Sequence, residues 1–265
     1  MIKDFLYDGR ALSEFGYILL MENSEEQMDT SNMEIKNIKG ARNDRSIGVG
    51  YQYGENLTAT YLIMKDFCEF PDDELDLTDD DVSELTRWLC RKQYKWFKFI
   101  DDEDMGVADV WYQGYWTVKK EFVGDRVIGL QITLHTNAPY GYSRIVKHVH
   151  ADNQFSINIH TDEEGYIYPD VTITVQEDGD LEFTNVTEGR VTEIKNCVAG
   201  ETITILNADI QQIGSTNTAH DWIHEYNYKY PRFAVSYGNL SNDFNINLEA
   251  EIIFEYREIR KVGLK

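Results

Sequence analysis

Unbroken alternation of apolar and polar side chains constrains this chain more than any other feature. Val171-Thr-Ile-Thr-Val175 alternates strictly, as do Phe155-Ser-Ile-Asn-Ile159, Thr202-Ile-Thr-Ile205 and Phe244-Asn-Ile-Asn-Leu248, with Glu251-Ile-Ile-Phe-Glu-Tyr256 close behind. Successive side chains of a strand point to opposite faces, so each segment carries one apolar and one wet face. Turn formers punctuate them at Asp178-Gly179-Asp180, Glu188-Gly189, Ala199-Gly200-Glu201 and Gly238-Asn239. Short strands at this spacing predict an antiparallel sandwich or jelly roll from about residue 145 to 256.

The N-terminal half predicts a β domain with one packed helix. Thr78 supplies an N-cap hydroxyl, Asp79 to Asp81 place acid at the positive end of the helix dipole, and Val82, Leu85, Trp88 and Leu89 form one apolar stripe. Arg87, Arg91 and Lys92 put cations at the other end, so the helix is expected over about 79–91. Leu57 to Ile63, Trp96 to Ile100, Val107 to Trp116 and Val127 to Leu134 read as strands around it. Polar stretches from Asn23 to Asn32 and from Gly40 to Gly54 read as long loops or a β-hairpin. Asn137-Ala-Pro-Tyr-Gly-Tyr142 reads as a linker, which divides the chain into domains 1–140 and 141–265.

A formal charge of -22, from Asp+Glu 47 against Lys+Arg 25, argues against a grip on DNA, RNA or anionic membranes, because phosphate binding needs clustered Lys and Arg. No run approaches the roughly 20 apolar residues of a membrane-spanning helix, and export by a cleaved signal is not expected. Cys68, Cys90 and Cys197 are too far apart for a Cys-x-x-Cys site; Cys68 and Cys90 could pair, but buried reduced thiols are the expectation.

No constellation of nucleophile, base or metal ligands stands out, so an enzyme is not expected and no cofactor is assigned. His148-Val-His150 puts two imidazoles on one strand face, with His160 as a third candidate, yet two histidines at this spacing usually form a solvated face. Asp101-Asp-Glu-Asp104 lacks the spacing of a calcium loop and reads as a charged turn. His220-Asp-Trp-Ile-His224 offers the one candidate sugar site, with Trp222 as stacking platform and His220 and His224 as polar partners; the ordinary alternative is a polar loop with Trp222 buried. Arg257, Arg260 and Lys261 cluster near the end of an otherwise acidic chain and are candidates for docking the second domain's last residues on the first.

Ile2, Asp4, Phe5, Tyr7, Gly9, Leu12, Ser13 and Phe15-Gly-Tyr-Ile18 resemble the opening of the distal tail protein (Dit) family of siphophage tails. The order continues through Arg87-Trp-Leu89, Tyr94, Phe99, Pro139-Tyr-Gly, Tyr168 to Ile173, Gly200 to Ile203, Tyr230-Pro-Arg232 and Arg257 to Gly263. The resemblance implies an N-terminal belt domain that assembles into a hexameric ring, single or stacked, and a C-terminal galectin-like β-sandwich. It implies a virion tail-tip protein, made in the host bacterial cytoplasm, that joins the tail tube protein to a tail-tip or tail-associated lysin or fibre hub. Receptor-binding proteins are further implied partners, and DNA passes through such a ring without being gripped. A galectin-like module binding cell-wall glycan is the alternative, and a cell-wall hydrolase comes third.

Overall fold

A computed structural model describes residues 4–21, 32–38, 45–52, 54–100, 109–207, 211–238 and 240–264. The chain folds as two compact units: Met1–Tyr142 together with Arg260–Lys265, and Ser143–Ile259.

The first unit contains β1 (Asp4–Tyr7), β2 (Arg10–Ala11), β3 (Tyr17–Met21), β4 (Asn32–Ile38), β5 (Arg45–Gln52), β6 (Thr58–Lys65), α1 (Asp79–Leu89), β7 (Lys95–Ile100), β8 (Tyr112–Val123), β9 (Arg126–Thr136) and β10 (Gly141–Tyr142). Seven strands form one sheet in the order β2-β1-β7-β8-β9-β6-β3, and β4 pairs with β5 as a separate hairpin. The β4–β5 hairpin lies within the polar stretches read as loop or hairpin; the rest of those stretches is outside the described residues.

The strand expected over Val107 to Trp116 is corrected by the structure. Val107 lies outside the described residues, and β8 runs on past Trp116 to Val123. The reason is the turn at Gly124-Asp125, where Gly124 adopts φ 62° and lets β8 fold directly onto β9 over ten paired positions from Gly114↔Thr136 to Val123↔Arg126.

Helix α1 begins where its cap dictates. Thr78 Oγ1 accepts from the Asp81 amide at 3.2 Å, and an Asp81 carboxylate oxygen accepts from the Thr78 amide at 2.8 Å. This reciprocal box satisfies two amides that the first turn leaves open. Lys65 adds an ion pair to Asp81 at 3.2 Å. The apolar stripe then buries Leu85, Trp88 and Leu89 against the sheet. Trp88 stacks on Phe5 with ring centres 5.5 Å apart, and its indole N–H donates to the Tyr7 carbonyl at 3.1 Å. Phe5, Phe97 and Trp116 complete an aromatic core whose tilted ring contacts add to simple area burial.

The last residues take part in this same core. Leu264 is 5% exposed within the first unit's apolar cluster, and the Tyr112 hydroxyl donates to the Gly263 carbonyl.

The second unit contains β11 (Val146–His150), β12 (Gln154–Asn158), β13 (Gly165–Ile167), β14 (Asp170–Val175), β15 (Gly179–Asn185), β16 (Arg190–Cys197), β17 (Thr202–Leu206), β18 (Gln212–Ser215), the one-turn helix α2 (Trp222–Glu225), β19 (Phe233–Val235), β20 (Ser241–Ile246) and β21 (Ala250–Tyr256); β22 (Ile259–Arg260) follows where the chain returns to the first unit. A five-stranded sheet, β11-β21-β14-β17-β18, faces a four-stranded one, β12-β20-β15-β16. Val171, Ile173 and Val175 are buried while the residues between them are half-exposed, as the alternation dictates. Across the interior, Phe183 of one sheet meets Phe254 of the other with centres 5.8 Å apart, and Phe244 lies against both. The architecture is mainly β, with antiparallel pairing throughout the two sandwich sheets.

The thiols differ from expectation. Cys197 is buried, but Cys68 and Cys90 are exposed and none of the three is oxidised. Cys68 sits in the turn after β6, where its amide binds the Asp66 carboxylate at 2.8 Å, and Cys90 is the residue at which α1 ends. Neither position faces a core.

Candidate functional site

The candidate sugar residues collect at one end of the sandwich, around α2. The pairing Ile203↔Ser215 and Ile205↔Ile213 carries the chain from β17 through β18 and places Ser215 beside Glu201. His220 then enters the same spot. Its Nε2 lies 2.5 Å from a Glu201 oxygen and its Nδ1 lies 2.6 Å from a Glu225 oxygen, with the imidazole side chain only 1% exposed. Ionised carboxylates only accept, so both bonds require a proton on each ring nitrogen. Ser215 Oγ donates to Glu201, the Val198 amide donates to its other oxygen at 2.9 Å, and Asn196 Nδ2 donates to Glu225 at 2.7 Å.

Burial alone would raise the Glu201 carboxyl, but the Ser215, Val198 and His220 hydrogen bonds outweigh it and hold the group below its ordinary value. The Asn196 and His220 bonds lower Glu225 in the same way. Cys197, packed in the same region, is pushed up to about 11 by burial and by the Glu201 charge, which makes it a poor nucleophile.

Trp222 stacks on the His220 ring at 4.4 Å and is only partly buried, against the fully buried side chain of the ordinary alternative; it belongs to α2 rather than to a loop. His220 has no ring nitrogen left for a sugar hydroxyl. His224 stands apart, 78% exposed and bonded to Asp221 at 2.7 Å. The Ser215 hydroxyl points at a carboxylate rather than at an imidazole, so the cluster is not arranged as a nucleophile with its base.

His148 and His150 do share one strand face, with rings 6.1 Å apart, but His148 binds the Tyr256 hydroxyl at 3.2 Å and His150 stacks on Phe155 at 4.0 Å. Among the described residues no group of three His, Cys, Asp or Glu side chains is placed to hold a metal ion, and His160 does not complete such a set. Asp101 to Asp104 lie outside the described residues. No helix among the described residues is long and apolar enough to cross a membrane.

Of the three terminal cations, Arg257 donates to the Ser143 carbonyl at 2.7 Å within the second unit. Arg260 and Lys261 open the segment that belongs with the first unit, and both are engaged by neighbouring groups. The groups that anchor this segment in the core are Gly263 and Leu264, which a reading of charge alone passes over.

Two β units, each with its own apolar core, make up the described chain. The sequence matches the family of phage tail protein N-terminal domains over residues 1–138 and that of phage tail C-terminal domains over residues 140–256, and the chain belongs to this phage tail protein family. A search of curated proteins finds no match. Among solved structures the chain is similar to Dit (gp 19.1) of phage SPP1, with 11% identity, 97% of this chain and 99% of that chain covered, and a TM-score of 0.65. At that identity the likeness defines the fold, which is that of Dit. The SPP1 protein is described as a paradigm of the hub adsorption apparatus in phages that infect Gram-positive bacteria.

Proposed function

We infer that this protein is the hub of a phage tail tip: a homohexameric ring joining the tail tube to the adsorption apparatus and surrounding the path of the DNA. The observation that carries this reading is the near end-to-end likeness to a hub protein, 97% of one chain on 99% of the other, in a member of a phage tail family. The first unit forms the ring, and the second is the unit offered to receptor-binding proteins. The charge of -22 suits a conduit, since a lumen without clustered Lys and Arg lets phosphates pass without the counterion release that would hold them.

Negative-stain microscopy and analytical ultracentrifugation of the purified chain test the reading. Rings of six subunits, single or stacked, are expected. A chain that stays monomeric at high concentration and binds glycans strongly in a Trp222-dependent manner would instead be a carbohydrate-binding module. The buried, doubly bonded His220 favours the hub over that alternative.

A further inference from the structure

The two ends of α1 carry complementary surfaces. Beyond its C-terminus a groove of about 330 Å³ is lined by Arg91, Lys92, Gln93, Tyr94 and Tyr115. Tyr94 is 49% exposed and packs on Tyr115 with ring centres 5.8 Å apart, and Tyr115 in turn stacks on His135 at 4.9 Å. Arg87, in the last turn of α1, and Lys92, in the lining, are exposed and make no ion pair among the described residues; Arg91 and Lys95 both reach Asp8. A cationic rim around exposed tyrosines runs against the charge of the whole chain.

Ahead of its N-terminus the surface is the converse. Phe67 is 62% exposed, and Glu69, Asp72, Asp73 and Glu74 follow it in the chain, all exposed, with Asp80 on the first turn of the helix. Capping accounts for Asp79 to Asp81, which lie in the first helical turn, but not for Asp72 to Glu74, which form a separate short turn before it. The acid of the first turn and the cations beyond the last are separated by the length of an 11-residue helix, about 16 Å.

We propose that the acidic, Phe67-bearing end of one subunit docks in the basic, tyrosine-lined groove of the next copy of this chain. The contact is heterologous, one patch on a different patch, which closes into a ring when the rotation between neighbours permits. An apolar knob in an aromatic pocket supplies burial, and the charged rims select the register. The proposal rests on the ring reading and adds to it the surfaces that meet.

The two exposed cysteines lie one at each end: Cys68 beside Phe67 and Cys90 at the helix terminus ahead of the groove. Treating the assembled full-length chain at pH about 8.5 with a short bismaleimide is therefore expected to give a ladder of covalent multimers in denaturing gels. Either Cys68→Ser or Cys90→Ser should abolish the ladder, whereas a symmetric contact would leave a dimer with one of them. In parallel, Arg87→Glu with Lys92→Glu, and separately Asp72→Lys with Asp73→Lys, should weaken self-association roughly tenfold or more, since like charges then face each other. All four are surface positions, so circular dichroism should show unchanged folding, and the chain carrying both reversals should assemble again. Assembly unaffected by either reversal overturns this docking surface and leaves the ring reading standing. A wild-type chain that never self-associates overturns both.

Discussion

At the residue scale, the most constrained group is His220, clamped between Glu201 and Glu225. Glu201 is 4% exposed, so Glu201→Gln leaves a buried imidazole facing an amide and should cost roughly 1–3 kcal/mol in urea unfolding. The sign with pH follows from the direction of the shifts. Both carboxyls lie below their ordinary 4.5 when folded, so their stabilisation is fully present above that value and is lost as pH falls through the lower folded value. The carboxylate contribution to the difference in unfolding free energy between wild type and the Gln variant should therefore shrink as pH falls below about 4.5; a difference that grows on acidification would refute the clamp. None of this was legible in the sequence. Glu201 and His220 are 19 residues apart, and only the β17–β18 pairing brings Ser215 and the following turn onto Glu201. The sequence showed His220-Asp-Trp-Ile-His224 as one cluster, but the fold sends His220 inward and His224 to solvent.

At the scale of elements, helix α1 was legible because every local signal agreed: cap, acidic first turn, apolar stripe and terminal cations. Thr78→Ala removes the hydroxyl that receives the Asp81 amide and should lower the stability of the first unit by about 1 kcal/mol, read by thermal unfolding. The alternating strands were equally plain, since burial in β14 follows the apolar pattern residue by residue, as it does in β20 from Asp243 onward. Strand β16 was not, because its buried set includes Thr192, whose hydroxyl donates to the Lys229 carbonyl at 2.6 Å and so satisfies a polar group inside the core. The outer half of β8, Lys119 to Val123, was not legible for another reason: it is largely polar or exposed and follows no apolar period. The terminal segment hides a single decisive contact, Leu264. Truncating it to Ala should cost about 2–4 kcal/mol in the first unit while leaving the unfolding of residues 143–259 unchanged, a pattern that hydrogen exchange on the two units would resolve.

On the scale of the whole molecule, each unit has its own apolar core, one centred on Trp116 and Phe97 and the other on Phe183 and Phe254. A chain ended after Ile259 should thus keep the sandwich but lose the Tyr112 and Leu264 contacts of the first unit; the second transition in calorimetry should persist while the first moves down. Family membership could be read from the order of many weak matches along the sequence, because a structural protein spreads its constraints over surfaces instead of concentrating them in a motif. The docking surfaces could not, since Phe67 and Tyr115 become partners only across two copies.

The return of residues 260–265 to the first unit also has a kinetic consequence. The ribosome must synthesise the entire sandwich before Leu264 exists to fill its place, so the first unit's core stays incomplete throughout translation of the second. A nascent chain, or one terminated before Leu264, then lacks a finished first unit. Two covalent connections, at 142–143 and 259–260, also tie the sandwich to the first unit, so any force applied to the sandwich is divided between two backbone segments rather than borne by a single tether.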